Sequence, residues 1–259
     1  MPEYYLLLNA LRDLMRPRRM LVGLTLVLLP ALIALFFKRF AGDEFSVSDG
    51  YHAIVISLIQ GFVLVITAVV NGCGTVSQEL EQKTIVYLLT RPLPRWRLLL
   101  TRYIAAVVGS SAVTALSILL LALVLFGGGA FGHTQIWLDL AIIPVGAMAY
   151  AGVFMFVATI IPRPLIVGLL FIFGWESWAP TLPGNFGKLA LVGYVRRLAP
   201  HPEVEMDSQD IREFLAAISP AVISRREAWI VLTVVILLSV IASLIVFSYK
   251  EYVPKEDAE

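Results

Sequence analysis

The sequence predicts an all-α integral membrane fold. It comprises six transmembrane helices, an N-terminal helix in the membrane interface, and a cytoplasmic helix between spans two and three. Three observations carry this. The 259 residues are 59% hydrophobic and 15% charged, against about 45–50% apolar and about 25% charged in ordinary soluble domains. Apolar runs recur at close to the roughly 17–25 residues that a helix needs to cross a bilayer. A charged island, residues 76–95, separates the second run from the third. Residues 1–259 therefore read as a single transmembrane domain, with no soluble enzyme domain of any size.

Residues 3–15 place Tyr4, Leu7, Leu8, Leu11, Leu14 and Met15 at helical spacing, with Asn9, Arg12 and Asp13 largely opposite. Arg16, Arg18 and Arg19 follow. An interfacial helix with its basic end toward anionic headgroups fits this pattern, as does the end of a long tilted first span. Span one covers about 20–37, roughly 27 Å at the α-helical rise, and Pro30 is a candidate kink. Its basic flank and its length argue against a cleavable signal peptide.

Span two is expected at about 52–70 and span three at about 102–126. The latter carries Ala105, Ala106, Gly109, Ser110 and Ala112, small residues that permit close helix contact, and stops at Gly127-Gly128-Gly129. Span four is expected at about 136–161. Pro162-Arg163-Pro164 is then a tight turn, because neither proline belongs in a helix interior. Span five is expected at about 165–182 and span six at about 228–247. Between them lies a polar outer segment, 183–227. Within it, 188–198 suits a short amphipathic helix at the far surface, or one lying on the outer leaflet. Glu203–Ala217 suits a soluble helix. A re-entrant pair of half-helices around Gly174, Pro180 and Pro183 is the competing reading of span five, and it reverses the side of everything that follows.

Basic residues set the orientation. With six spans, twelve of the twenty Lys and Arg residues fall on the side that holds both termini and the island. Six of the other eight lie in the long outer segment, where six carboxylates offset them; only Lys38 and Arg39 oppose the assignment locally. The termini and the island are expected in the cytoplasm, and the protein in the plasma membrane (the inner membrane in a Gram-negative host). A net charge of +1 gives no polybasic footprint for nucleic acid. One cysteine, Cys73, and three scattered histidines, His52, His133 and His201, are too few for a metal site.

The island reads as a short amphipathic helix. Glu79 and Lys83 are four apart in the favourable order. The acidic residues come early, where the helix dipole prefers them. Pro92 and Pro94 end it, and Arg95, Arg97 and Arg102 sit at headgroup depth. Physics alone leaves two readings: a handle for a cytoplasmic partner, or a loop helix that only snorkels its charges.

The run Glu79-Leu80-Glu81-Gln82-Lys83-Thr84, followed by Leu88-Leu89-Thr90-Arg91-Pro92-Leu93-Pro94-Arg95, resembles the cytoplasmic segment of ABC-2 type permeases, the integral-membrane subunits of multi-subunit ABC transporters. There the pattern looks like E-x-E-x-G-T, then L-L-(T/S)-x-P-(I/L/V)-(S/P)-R. Glu79, Glu81, Thr84, Leu88, Leu89, Thr90, Pro92 and Arg95 match; Lys83 stands where the family has glycine. The amphipathic start, the span count, Trp175-Glu176 in the fifth span and the long outer segment extend the resemblance over essentially the whole chain.

The resemblance implies a permease that forms the pathway as a pair and exports a substrate. Residues 76–95 become the coupling segment that docks on a separate cytoplasmic ABC ATPase. Glu79, Glu81, Thr84 and Arg91 become contact or positioning residues, Pro92 fixes the helix exit, and Arg95 holds the third span. The chain has no G-x-x-x-x-G-K-[ST] sequence and is not expected to be an enzyme or to bind a cofactor. ATP and Mg are expected on the partner. The substrate is not named by any residue.

Glu176 has three readings: a structural or gating carboxylate inside the protein, a substrate contact, or a headgroup-level residue in an aromatic belt with Trp175 and Trp178. Asp139, beside Trp137, reads as an interface or helix-start charge, and His52 as a weak ligand candidate. The main alternative function is a membrane scaffold or anchor for a non-ATPase cytoplasmic partner. An ion-coupled carrier or channel, which calls for mid-membrane polar groups, and a membrane enzyme are lesser ones.

Overall fold

The computed structural model describes residues 17–40, 46–81, 95–179, 185–201 and 223–249. All regular structure among them is helical. In chain order, α1 is Pro17–Phe40. Then α2, Val47–Ile54, a π-helical stretch, Val55–Val63, and α3, Leu64–Glu81, follow without a break. α4 is Arg95–Phe126, followed by a 3-10 turn, Gly127–Gly132. α5 is Thr134–Ile160. α6, Pro164–Leu170, continues into a π turn, Phe171–Glu176. After a 3-10 turn at Asn185–Leu189 come α7, Leu191–Leu198, and α8, Arg225–Tyr249.

Among the described residues, five stretches are long and apolar enough to cross a membrane: Met20–Phe40, Val47–Val76, Trp96–Gly132, Thr134–Ile160 and Arg225–Tyr249. The predicted fifth span, 165–182, is not among them. It is a shorter apolar helix, Pro164–Glu176. Thirteen residues reach about 20 Å against a hydrocarbon core of roughly 30 Å. The chain turns at Ser177, whose amide donates to the Ile172 carbonyl (3.1 Å). The second span also differs. It does not end near Val70 but continues as helix to Glu81, because Gln78-Glu79-Leu80-Glu81 are good helix formers with nothing to stop them.

Local chemistry fixes the ends. Ser46 caps α2 by accepting from the Asp49 amide (3.4 Å). Gly127, at φ +60°, turns the chain out of α4 through a left-handed conformation that glycine tolerates. Lys38 donates to the Val124 and Leu125 carbonyls (3.2 and 3.3 Å). A cation thus sits on the negative end of the α4 dipole, a local reason for a basic residue on the side where charge counting disfavours one. Pro164 opens α6 at a position that tolerates it. α8 begins with a reciprocal capping box: the Glu227 amide donates to Ser224 Oγ (3.1 Å) and the Ser224 amide to Glu227 Oε2 (3.4 Å).

α3 and α5 form the centre and touch backbone to backbone. A Cβ on Gly72 would stand 3.0 Å from the Ala151 carbonyl oxygen. Gly152 faces Ser239 of α8, and Gly168 of α6 faces Val69. The core joins Ile59, Leu64, Ala68, Ile118, Leu121, Ala147, Tyr150 and Phe154. α1 and α8 lie outside. They expose rows of large apolar residues (Leu21, Leu24, Leu28, Leu32 and Leu35; Ile230, Val234, Leu238, Ile241 and Ile245), patches that call for lipid or protein rather than water.

A second cluster gathers Val76, Leu99, Met155, Ala158 and Phe247. It fixes one end of the bundle, here the Arg95 end, where α3 finishes, α4 starts and α5 and α8 finish. Phe126, Lys38, Val47 and Thr134 mark the opposite, Phe126 end. The interfacial helix predicted at 3–15 lies outside the described residues, as do most of the island and the acidic helix predicted at Glu203–Ala217.

Candidate functional site

Three groups of residues are candidates. The first is the island. Helix α3 carries Glu79 and Glu81 past Val76, which is 2% exposed and packed in the end cluster. Arg95 opens α4. Thr84, Arg91 and Pro92 lie outside the described residues. Glu79, Glu81 and Arg95 thus belong to helix termini at the same end of the bundle. Trp96, the second residue of α4, is 47% exposed, with the Arg97 guanidinium 5.1 Å from its ring centroid.

The second group surrounds Glu176, which is only 3% exposed although it ends a short apolar helix flanked by exposed tryptophans. The π turn aims its carboxylate inward. Oε1 accepts from the Tyr150 hydroxyl and from the Val192 amide (2.6 Å). It thereby caps the first turn of α7, where free amides and the helix dipole favour an anion. One turn later Arg196 donates from Nη2 to the Ile56 carbonyl (3.0 Å), inside the π-helical stretch. Gly61 leaves room for that guanidinium: a Cβ there would lie 3.0 Å from Nη2. Burial, the largest influence, pulls the Arg196 guanidinium below its usual value, while Tyr150 and Glu176 raise it. Glu176 Oε2 and Arg196 Nε have no hydrogen-bond partner among the described residues.

A short amphipathic helix is present within 188–198, as expected, but its apolar face does not lie on the outer leaflet. Val192, Tyr194, Val195 and Leu198 are buried, and the apolar face of α7 is spent on protein rather than on a leaflet. Lys188 pairs with Glu227 (3.1 Å), and Tyr194 donates to the Lys188 carbonyl (2.8 Å), so the turn before α7 is tied to α8.

The third group lies at the Phe126 end. Asp139, expected to be an interface charge, is 1% exposed. Its Oδ2 accepts from the Tyr51 hydroxyl (2.8 Å), and its Oδ1 is 3.0 Å from His201 Nε2, a contact outside hydrogen-bond geometry. His201 Nδ1 is 2.6 Å from His52 Nδ1. Gln135, one turn before Asp139, donates to the Pro200 carbonyl (3.3 Å). The third histidine, His133, stacks on Phe126 (4.2 Å between centroids), which packs on Tyr51 (5.5 Å). Residue spacing missed this network because its members are up to 149 positions apart. The available signal was Gln135 and Asp139, polar and one turn apart in an apolar helix.

Among the described residues, no three or more His, Cys, Asp or Glu side chains are grouped to hold a metal ion. Cys73 is fully buried, packed among apolar residues of the core. The chain matches no family model and no curated protein.

Proposed function

We propose that this chain is the permease subunit of an ATP-driven transporter of the ABC-2 type, most simply an exporter. It works as a pair and is driven by a separate cytoplasmic ABC ATPase that binds ATP and Mg. The observation that carries the proposal is the ordered run from Glu79 to Arg95. Its first residues prolong α3 and its last residue opens α4, at one end of a helical bundle. In this reading that end faces the cytoplasm with both termini, in the plasma membrane. Glu79, Glu81, Thr84 and Arg91 engage the ATPase, Pro92 sets the exit from the segment, and Arg95 anchors the return helix.

ATP closes the ATPase pair only to the extent that it binds the closed arrangement better. The coupling segments carry that closure to α3 and α4. Glu176, inside the bundle, holds α7 against α5 and serves as a gating or structural carboxylate. The substrate, carried between two such bundles in the lipid bilayer, is unspecified by the residues described.

The test is purification of the tagged chain from its native membrane in mild detergent, with mass spectrometry of what accompanies it. A near-stoichiometric P-loop ATPase, lost on Glu79→Lys with Glu81→Lys, supports the proposal. A folded chain that reproducibly brings down a different partner and no ATPase replaces it with the scaffold reading. Native mass in nanodiscs tests the pairing, and an active complex with a single permease overturns it.

A further inference from the structure

We propose that His52, His201 and Asp139 form a proton-binding latch that holds the chain after α7 onto α2 and α5, and that a second proton on the histidine pair opens it. This stands apart from the transporter reading and uses none of its residues.

The geometry fixes the proton count. Two Nδ1 atoms 2.6 Å apart can share one hydrogen and no more. Two lone pairs facing each other repel, and two N–H groups do not fit. His201 Nε2 faces the Asp139 carboxylate at 3.0 Å, with side chains 1% and 0% exposed. That nitrogen carries a proton, since a bare one would oppose a buried anion. In the neutral pair His201 therefore accepts at Nδ1, and His52 donates from its own Nδ1.

One added proton is accommodated. It enters at His52 Nε2, the shared proton passes to His201 Nδ1, and the inner hydrogen bond reverses its direction. The imidazolium then lies against Asp139. A second added proton is not accommodated. It makes both rings cations, each with an N–H at the shared edge, and the rings must part.

The surroundings limit what can offset that repulsion. On the His52 helix, Asp49 and Tyr51 are the titratable neighbours. Asp49 and Asp139 are the carboxylates that act on His52, and Tyr51 already spends its hydroxyl on Asp139. From α5 come Asp139 and neutral Gln135. His133 is held off by Phe126. Lys38 of α1 is engaged by the α4 carbonyls, Arg196 of α7 by Ile56, and Arg197 is exposed. Asp139 serves the first imidazolium, and nothing buried remains for the second. When the rings part, residues 199–201 keep the Gln135 hydrogen bond to the Pro200 carbonyl and the packing of Ala199 in the core, but lose the polar contact of His201 with α2.

The experiment is hydrogen exchange by mass spectrometry on the full chain in nanodiscs, from pH 8 to pH 5 with intrinsic rates corrected. Peptides covering 46–58 and 191–201 are expected to hold their protection near neutrality. Below the ordinary imidazole range, about pH 6.5, they lose it together by about tenfold or more. His52→Asn offers an amide that can donate or accept at the same edge but cannot take up a proton, so it should stay protected throughout. Nitrogen-15 histidine spectra of the unmodified chain give a readout that needs no variant: one shared N–H···N proton at neutral pH, lost in step with protection. Protection that ignores pH, a His52→Asn chain that opens like the unmodified one, or rings that titrate independently would overturn the proposal.

Discussion

Gly72 and Ala151 meet with no side chain between them. A Cβ on Gly72 would lie 3.0 Å from the Ala151 carbonyl oxygen, 3.2 Å from its Cα and 3.2 Å from the Cβ of Phe154. Two of these three are main-chain atoms of a central helix and cannot step aside. Gly72→Val should therefore force α3 off α5 and cost about 1–3 kcal/mol. The check is a thermal melt in detergent, with Gly174→Ala as the comparison. Gly174 has open space where its Cβ would go, and that variant should melt like the parent.

Lys38 closes α4 from outside the helix. Lys38→Met keeps most of the side-chain bulk and removes the charge and both hydrogen bonds to Val124 and Leu125. The expected loss is about 0.3–1 kcal/mol, seen as faster amide exchange in residues 120–126, with the middle of α4 unchanged. Equal exchange in parent and variant would show that the cap is idle.

Glu176→Gln retains an oxygen that can accept from Tyr150 and Val192, so the fold should persist. Glu176→Ala leaves a buried hydroxyl and a helix-opening amide unpaired, about 1–3 kcal/mol for each. Melts of the two variants should separate clearly, and α7 should lose protection only in the alanine variant. Under the proposed function, unchanged transport and assembly with glutamine would remove the negative charge from the mechanism and leave the carboxylate as a brace.

Arg196→Met strips the Ile56 carbonyl of its charged donor. The expected destabilisation is about 1.5–3 kcal/mol, concentrated in residues 55–63. Gly61→Ala should cost far less, because the atom its methyl meets is the end of a flexible arginine. If the two variants lose stability equally, packing around Gly61 rather than the Arg196 hydrogen bond governs this turn.

Apolar runs made five long helices legible in the sequence, since hydrophobicity over about twenty residues has few other uses. Boundaries were less so. Residues 165–182 look long enough to cross, but the helix ends at Glu176, where a buried carboxylate is claimed by Tyr150 and by the start of α7. Composition registers an apolar run and not the tertiary partner that bends it. The polar clusters were nearly invisible. Glu176 drew attention as a lone charge among tryptophans, yet its partners Tyr150, Val192 and Arg196 carry no pattern that points to it. His52 and His201 are neighbours only because α7 folds back between the helices. The capping box Ser224–Glu227, by contrast, is a four-residue signature, and it moves the start of the last helix three residues earlier than hydropathy placed it.

Residues 47–81 form one unbroken rod of about 52 Å, well beyond the roughly 30 Å of hydrocarbon. Its i→i+5 stretch, Val55–Val63, is a wide, weak turn of the kind at which helices flex, and it lies toward the Phe126 end. Such a rod is a lever with its fulcrum near one tip. A small swing at the π-helical stretch becomes a large sweep at Glu81, and whatever holds that far tip gains mechanical advantage over the turn that Arg196 grips.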